Sequence, residues 1–182
     1  MVPARNIELK VRLANLEGSR TIAWRIATAR LGIQRQRDTY FACPRGRLKL
    51  REIEGGPAQL IAYDRPDRSD AKASDYRLWK LPPDISPAAL RDLLAMALGV
   101  TIVVEKSREI FLHHNVRIHL DEVRGLGSFL ELEAVVGCGV EEQAAHQQLA
   151  WLQNEFNIAA TDLMSESYSD MLLPKRGSSP VA

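Results

Sequence analysis

Residues 106–133, KSREIFLHHNVRIHLDEVRGLGSFLELE, place ionisable side chains at a spacing of every second residue. Successive side chains of a strand point to opposite faces. Arg117, His119 and Asp121 therefore share one face, and Val116, Ile118 and Leu120 share the other. The same period groups Glu131 with Glu133, opposite Leu130, Leu132 and Ala134, and it groups Lys106 with Arg108. Between the alternating runs, EVRGLG carries the glycines that suit a hairpin connection. One polar sheet face would thus hold Lys106, Arg108, Arg117, His119, Asp121, Glu131 and Glu133. A solvated strand face has no need of so many groups of both signs. A site that binds a metal ion together with a polyanion does.

Other stretches must position this face. Residues 5–13, RNIELKVRL, alternate Ile7, Leu9, Val11 and Leu13 with Asn6, Glu8, Lys10 and Arg12, which alone reads as a half-exposed strand. In GRLKLREIE, Arg47, Lys49 and Arg51 face away from Leu48 and Leu50. Cations so close repel unless water or an anion lies among them, so this face is either solvated or a phosphate clamp. Further strands are expected over 33–42, 58–65, 75–82 and 100–113. In the strand over 75–82, Tyr76 and Lys80 share one face and Arg77 and Trp79 the other, and the pattern does not choose between them. The polar loop 66–75 follows Arg65 and holds Arg68 and Lys72, within reach of a ligand.

Helices are expected over 15–31, with a stripe of Leu16, Ile22, Ile26, Ala29 and Leu31 stopped by Gly32, and from Ser86-Pro87 to Gly99, with Leu90, Leu93, Leu94 and Leu98 in the core. A third covers 141–157 on a stripe of Ala145, Leu149, Leu152 and Phe156, with His146 beside it as a surface or packing residue. A short helix over 160–166, an extended final piece SYSDMLL and a disordered 174–182 complete the chain.

Composition bounds the function. A chain of 182 residues is read as one domain, 1–173, with a real core. A net charge of +1, with cations interleaved with acids, argues against nucleic acid as a partner. No apolar run approaches membrane length, the first residues lack an apolar leader, and Cys43 and Cys138 form no CxxC pair. A cytoplasmic protein with reduced thiols and no membrane partner is expected. Strands charged on one face and aliphatic on the other, with separate apolar-striped helices, point to an α+β fold. This would be a mainly antiparallel closed or nearly closed β-barrel, a tunnel with a charged lumen and helices packed outside. Such a barrel is physically reasonable when the lumen is wet and holds a charged ligand.

These residues resemble the CYTH domain, the triphosphate tunnel metalloenzymes, and within it the class IV adenylate cyclase branch. Residues 5–173 share the likeness. The family's first-strand E-x-E-x-K falls on Asn6, Glu8 and Lys10, so one motif Glu is replaced by Asn6. GRLKLR, LIAYDRPD with Lys72 and Tyr76, EKSREIF, SYSDMLL and, most specifically, VRIHLDEVRGLGSFLELE match family segments. The resemblance implies that Glu8, Asp121, Glu131 and Glu133 bind a divalent metal, Mg2+ or Mn2+, as hard oxygen ligands do. It implies that Lys10, Arg47, Lys49, Arg51, Arg65, Lys106, Arg108 and Arg117 bind phosphate, with Arg12, Lys72 and His119 as further candidates. Lys10 and Arg117 take the catalytic part. The implied function is conversion of ATP to cyclic AMP and pyrophosphate. The alternatives are hydrolysis of thiamine triphosphate or inorganic triphosphate, and binding of a nucleotide or polyphosphate without turnover. The branch also implies a homodimer.

Overall fold

The computed structural model describes residues 4–64, 72–137 and 139–174. The strands are β1 (Ala4–Arg12), β2 (Ala29–Phe41), β3 (Arg47–Ile53), β4 (Gln59–Asp64), β5 (Lys72–Lys80), β6 (Val100–His113), β7 (Val116–Val123) and β8 (Gly127–Val136). They close into a barrel in the order β1-β5-β4-β3-β2-β6-β7-β8, antiparallel throughout. The helices are α1 (Leu16–Ile26), α2 (Pro87–Leu98), α3 (Glu142–Glu155) and α4 (Tyr168–Leu172). Among the described residues no helix is long and apolar enough to cross a membrane.

The alternating pattern turns the barrel inside out. Ile7, Leu9, Val116, Ile118, Leu120, Leu130, Leu132 and Ala134 face outward and are buried against α1 and α3. Ala145, Leu149, Leu152 and Phe156 form the matching stripe of α3, and His146 lies exposed beside it. A second outer layer packs Leu90, Leu94 and Ala95 of α2 on Phe41, Leu48, Leu50 and Leu60. We expect Leu132→Ala to cost about 3 kcal/mol of unfolding free energy, since it opens a cavity in the outer core. Urea denaturation reads this directly, and a loss below about 1 kcal/mol would show that the layer under α3 is not the main core.

Some expectations need correction. The helix over 15–31 ends at Ile26, and Ala29 and Leu31 belong to β2. The main chain turns to pair with β6 at once, with Thr28 N–H donating to Leu112 O at 2.7 Å. Gly32, at φ +81°, lies at an irregularity in that pairing and is not a helix stop. Leu93 and Leu98 are exposed, because α2 rests on the barrel through Leu90 and Leu94. The loop expected over 66–75 is strand from Lys72 onward. The short helix over 160–166 is a single 3-10 turn, Ala160–Asp162. SYSDMLL is helical rather than extended. Ser167 and Asp170 cap it reciprocally, a serine–acid spacing that marks a helix start in sequence. The tail 175–182 lies outside the described residues.

The short helix α4 floors the barrel. Tyr168, Met171 and Leu172 pack against Tyr40, Tyr63, Val104, Val123 and Phe129 from β2, β4, β6, β7 and β8. Ser167 and Tyr168 reach the lumen itself.

Candidate functional site

The lumen is a cavity of about 460 Å³. Lys10, Lys49, Arg51, Lys106, Arg108 and Arg117 line it, together with Glu8, His119, Glu131 and Glu133. Each lies on the inward face of its strand by the two-residue alternation, so the barrel brings together groups from β1, β3, β6, β7 and β8. The face of β5 left open by the sequence is settled: Tyr76 and Lys80 point inward. Three sequence candidates do not line the cavity. Arg12 donates to Leu126 O and lies over the Phe129 ring. Arg47 is paired with Asp170 of α4 at 2.9 Å. Asp121 is fully buried behind Arg108. Arg65 lies outside the described residues, as does the side chain of Lys72.

Sequence reasoning missed the residue that organises the cations. Asp38 of β2 is fully buried and accepts from Arg51 at 2.7 and 2.9 Å, from Lys49 at 2.8 Å and from Lys106 at 3.1 Å. Burial alone would raise its pKa, but Arg51, Lys106 and Lys49 outweigh burial and hold it well below the usual carboxylate range. The signal was there in IQRQRDTYFA, where Asp38 falls on the face shared by Gln34 and Gln36. Its role became visible only through the β2–β3 register, which sets Asp38 opposite Arg51.

A second cluster surrounds Arg108. Its guanidinium grips Asp121 at 2.7 and 2.5 Å and reaches Glu131 at 3.1 Å. The Tyr168 hydroxyl donates to Asp121 at 2.7 Å, and the Lys10 ammonium sits 3.9 Å above the Tyr168 ring. Lys10 also lies 3.8 Å from Glu131. Burial pushes Glu131 up, while Lys10 and Arg108 pull it well below its ordinary value. Nearer the exposed side, Arg117 donates to Glu133 at 2.9 Å, and the Asn6 amide donates to the other Glu133 oxygen. His119 is buried and its Nδ1 has no partner. Burial, helped by Arg108, lowers its pKa to about 4, so the imidazole is neutral at pH 7.

The carboxylates fit a divalent ion only jointly with a ligand. Among the described residues, no three His, Cys, Asp or Glu side chains are placed to hold a metal by themselves. Asp121 and Glu131 are engaged by Arg108. Glu8 and Glu133, however, are direct cross-strand neighbours on one face. Beside them Asn6 Oδ1 is buried without a partner, while its amide nitrogen is fixed on Glu133. Magnesium is commonly held by one or two carboxylates with phosphate oxygens and water completing the shell. These oxygens suit that arrangement.

A larger concavity of about 750 Å³ is lined by residues of β2, β3, β6, β7 and β8, Arg35, Arg37, Glu52, Glu54, Glu105 and Arg124 among them, and it shares Gln36, Ile53 and Lys106 with the lumen. It is open to solvent, and four of its charged residues form surface ion pairs, Arg35 with Glu54 and Arg124 with Glu105. Such pairs contribute little and mark no site. The enclosed, cation-rich lumen is the functional candidate.

The model of the CYTH domain matches residues 4–168. The chain belongs to the CYTH family. Among solved structures, the PH1012 protein of Pyrococcus horikoshii superposes with a TM-score of 0.77 at 22% identity, over 90% of this chain and 97% of that one. A candidate adenylate cyclase from Vibrio parahaemolyticus gives a TM-score of 0.75 at 21% identity, over 92% and 97%. HpAC1 of Hippeastrum, a candidate adenylyl cyclase described as having a dominant triphosphatase activity, gives 0.62 at 14%, over 92% and 93%. At these identities the likeness is one of fold. No curated protein matches the chain. In this CYTH protein the closed barrel is the family's scaffold, and Asp38, Arg108 and Tyr168 are the anchors around which its lumen charges are set.

Lys106 gives the lumen a pH dependence. Burial first, and then Arg51, Arg108 and Lys49, pull its pKa down to about 7 against the attraction of Asp38. A bound polyanion favours the charged ammonium and raises that pKa again. Tripolyphosphate affinity is therefore expected to fall as pH rises above about 7, more steeply in wild type than in Lys106→Met. Titration calorimetry from pH 6 to 9 measures both, and the ligand's own ionisation cancels in the comparison. Equal slopes would remove Lys106 from the site.

Proposed function

We propose that this CYTH protein is a metal-dependent enzyme acting on a triphosphate held in the lumen, with ATP conversion to cyclic AMP and pyrophosphate as the favoured reaction. The observation that carries this reading is the convergence of Lys10, Lys49, Arg51, Lys106, Arg108 and Arg117 on one enclosed cavity that also holds Glu8, Glu131 and Glu133. Phosphoryl chemistry is mostly positioning and electrostatic stabilisation, which fixed cations in a confined space supply. Asp38 orients Lys49, Arg51 and Lys106 for phosphate oxygens. Lys10 and Arg117 stand beside Glu131 and Glu133, where they would stabilise charge developing on the departing phosphates. Glu8 and Glu133 would hold a magnesium or manganese ion, which would supply positive charge against the phosphates.

In cyclisation the ribose 3′-hydroxyl attacks the α-phosphorus and pyrophosphate leaves. In hydrolysis water attacks the terminal phosphate. A non-catalytic reading is favoured by one observation: Asn6 stands where the motif has a carboxylate, and its amide occupies Glu133. The deciding experiment incubates purified protein with ATP, thiamine triphosphate and tripolyphosphate, each with magnesium or manganese, and resolves the products by chromatography. Cyclic AMP supports the cyclase, free phosphate the hydrolase. No product alongside tight binding identifies a binding module.

A further inference from the structure

One strand of the barrel outruns its neighbour. On one side β2 pairs with β6 from Ala29 to Phe41. On the other, β3 pairs with it over Gln36–Phe41 and ends at Ile53. Glu54 N–H then donates to Arg35 O at 3.0 Å, and the chain turns away. Among the described residues no strand pairs with residues 29–34 on that side. At about 3.4 Å per residue the open edge is about 20 Å long, the length of an ordinary strand.

The edge offers main chain flanked by apolar side chains. In an antiparallel pair, alternate residues turn their N–H and C=O to the same neighbour. Arg35 faces β3, so Ile33, two residues before it, turns its N–H and C=O to the open side. The β2–β6 register is continuous from Gly32 through Tyr40, so the alternation holds at Ile33. Leu31 is 57% and Ile33 65% exposed, and a Cβ on Gly32 would meet open space. An exposed apolar edge is a template for another strand, and proteins usually cover or blunt one.

The charges at this edge favour one kind of occupant. Arg30, Arg35 and Arg37 are the exposed charged residues of β2, and its single acid, Asp38, is buried. Across the lumen Lys80 is exposed and Arg117 partly so. Of the nearby acids, Glu54 is paired with Arg35, and Glu109, opposite Ile33, is engaged by Arg20. A second copy of β2 laid on this edge would bring its own arginines against these. An acidic extended chain would neutralise them.

We propose that residues 29–35 of β2 are a docking edge for an extended segment of another protein, rich in apolar and acidic residues, which adds a strand to the barrel wall. Main-chain hydrogen bonds to Ile33 and its neighbours hold the segment, as in other cases of strand addition. Its apolar side chains cover Leu31 and Ile33, and its acids meet the flanking cations. This edge does not depend on what the lumen binds.

The test is amide hydrogen exchange of the full chain, read by NMR, with a capped heptapeptide alternating glutamate and valine as the probe. In dilute free protein the Ile33 amide should exchange as a solvent-exposed amide does. Saturating peptide should slow that exchange at least about tenfold. The same peptide N-methylated throughout should leave it unchanged, because it has no N–H to donate. A lysine–valine counterpart should slow it at least about threefold less than the glutamate peptide. An Ile33 amide already protected in dilute free protein, or left unchanged by the glutamate peptide, overturns the docking edge. Slowing by the methylated peptide overturns strand addition, and equal slowing by the lysine peptide overturns the acidic partner. Protection that grows with protein concentration in the absence of peptide gives the edge to a second copy and also overturns the proposal.

Discussion

Asp38→Ala is expected to cost the ligand-free protein about 3–5 kcal/mol, and tripolyphosphate is expected to return much of that loss. Asp38 is the buried anion on which Arg51, Lys49 and Lys106 all converge. Without it these cations repel one another in a confined, poorly solvated space. A bound polyphosphate replaces the missing charge, so it should stabilise the variant more than it stabilises wild type. Urea unfolding of both proteins, with and without tripolyphosphate, gives the comparison. A loss below about 1 kcal/mol, or no greater ligand gain in the variant, would contradict this role for Asp38. The pH dependence has a fixed sign. The native carboxyl titrates below its unfolded value, so its stabilisation is complete above the unfolded pKa of about 4 and is lost as pH falls toward the native value. Wild type should lose stability on acidification below about pH 4 through this group, and Asp38→Ala should lack that component.

Glu133→Gln is expected to lower turnover by about a hundredfold or more while changing ATP affinity far less. Glu133 faces Glu8 across the β1–β8 pair and accepts from Arg117 and Asn6. Removing its charge weakens the oxygens offered to a divalent ion and releases Arg117, but leaves Lys10, Lys49, Arg51, Lys106 and Arg108 in the lumen. Phosphate should therefore still be held while the reacting phosphorus is misplaced. Steady-state kinetics with magnesium and with manganese, paired with calorimetry, separates the two effects. Unchanged turnover would remove Glu133 from the proposed metal site, and equal loss of affinity and turnover would make it a binding residue only.

Much of this was legible because the side-chain period of a strand is two. Glu8 and Lys10, Lys49 and Arg51, and Arg117 and His119 each declare a polar face, and Ile7, Leu9, Ile118 and Leu132 declare the opposite one. The barrel followed because both faces needed a partner: helices for one, a wet lumen for the other. What the period cannot give is the depth of a residue along its strand. Arg47 shares a face with Lys49 and Arg51, yet lies level with α4 and pairs with Asp170. Asp121 shares a face with Arg117 and His119, yet is sealed beneath Arg108 and Tyr168. Asp38 was hidden for a related reason: a lone acid in a strand has no visible partner until neighbouring strands are set in register. The helix misread over 15–31 failed differently, because Ala29 and Leu31 continue an apolar helical stripe while the backbone has already begun to pair with β6.

The lumen, and not the larger concavity beside it, is expected to receive the triphosphate. A crystal structure with a non-hydrolysable ATP analogue and manganese tests it most directly. Phosphates are expected among Lys10, Lys49, Arg51, Lys106, Arg108 and Arg117, with the metal at Glu8 and Glu133. Phosphates bound on the outer surface at Arg35, Arg37 and Arg124, over an empty lumen, would contradict it.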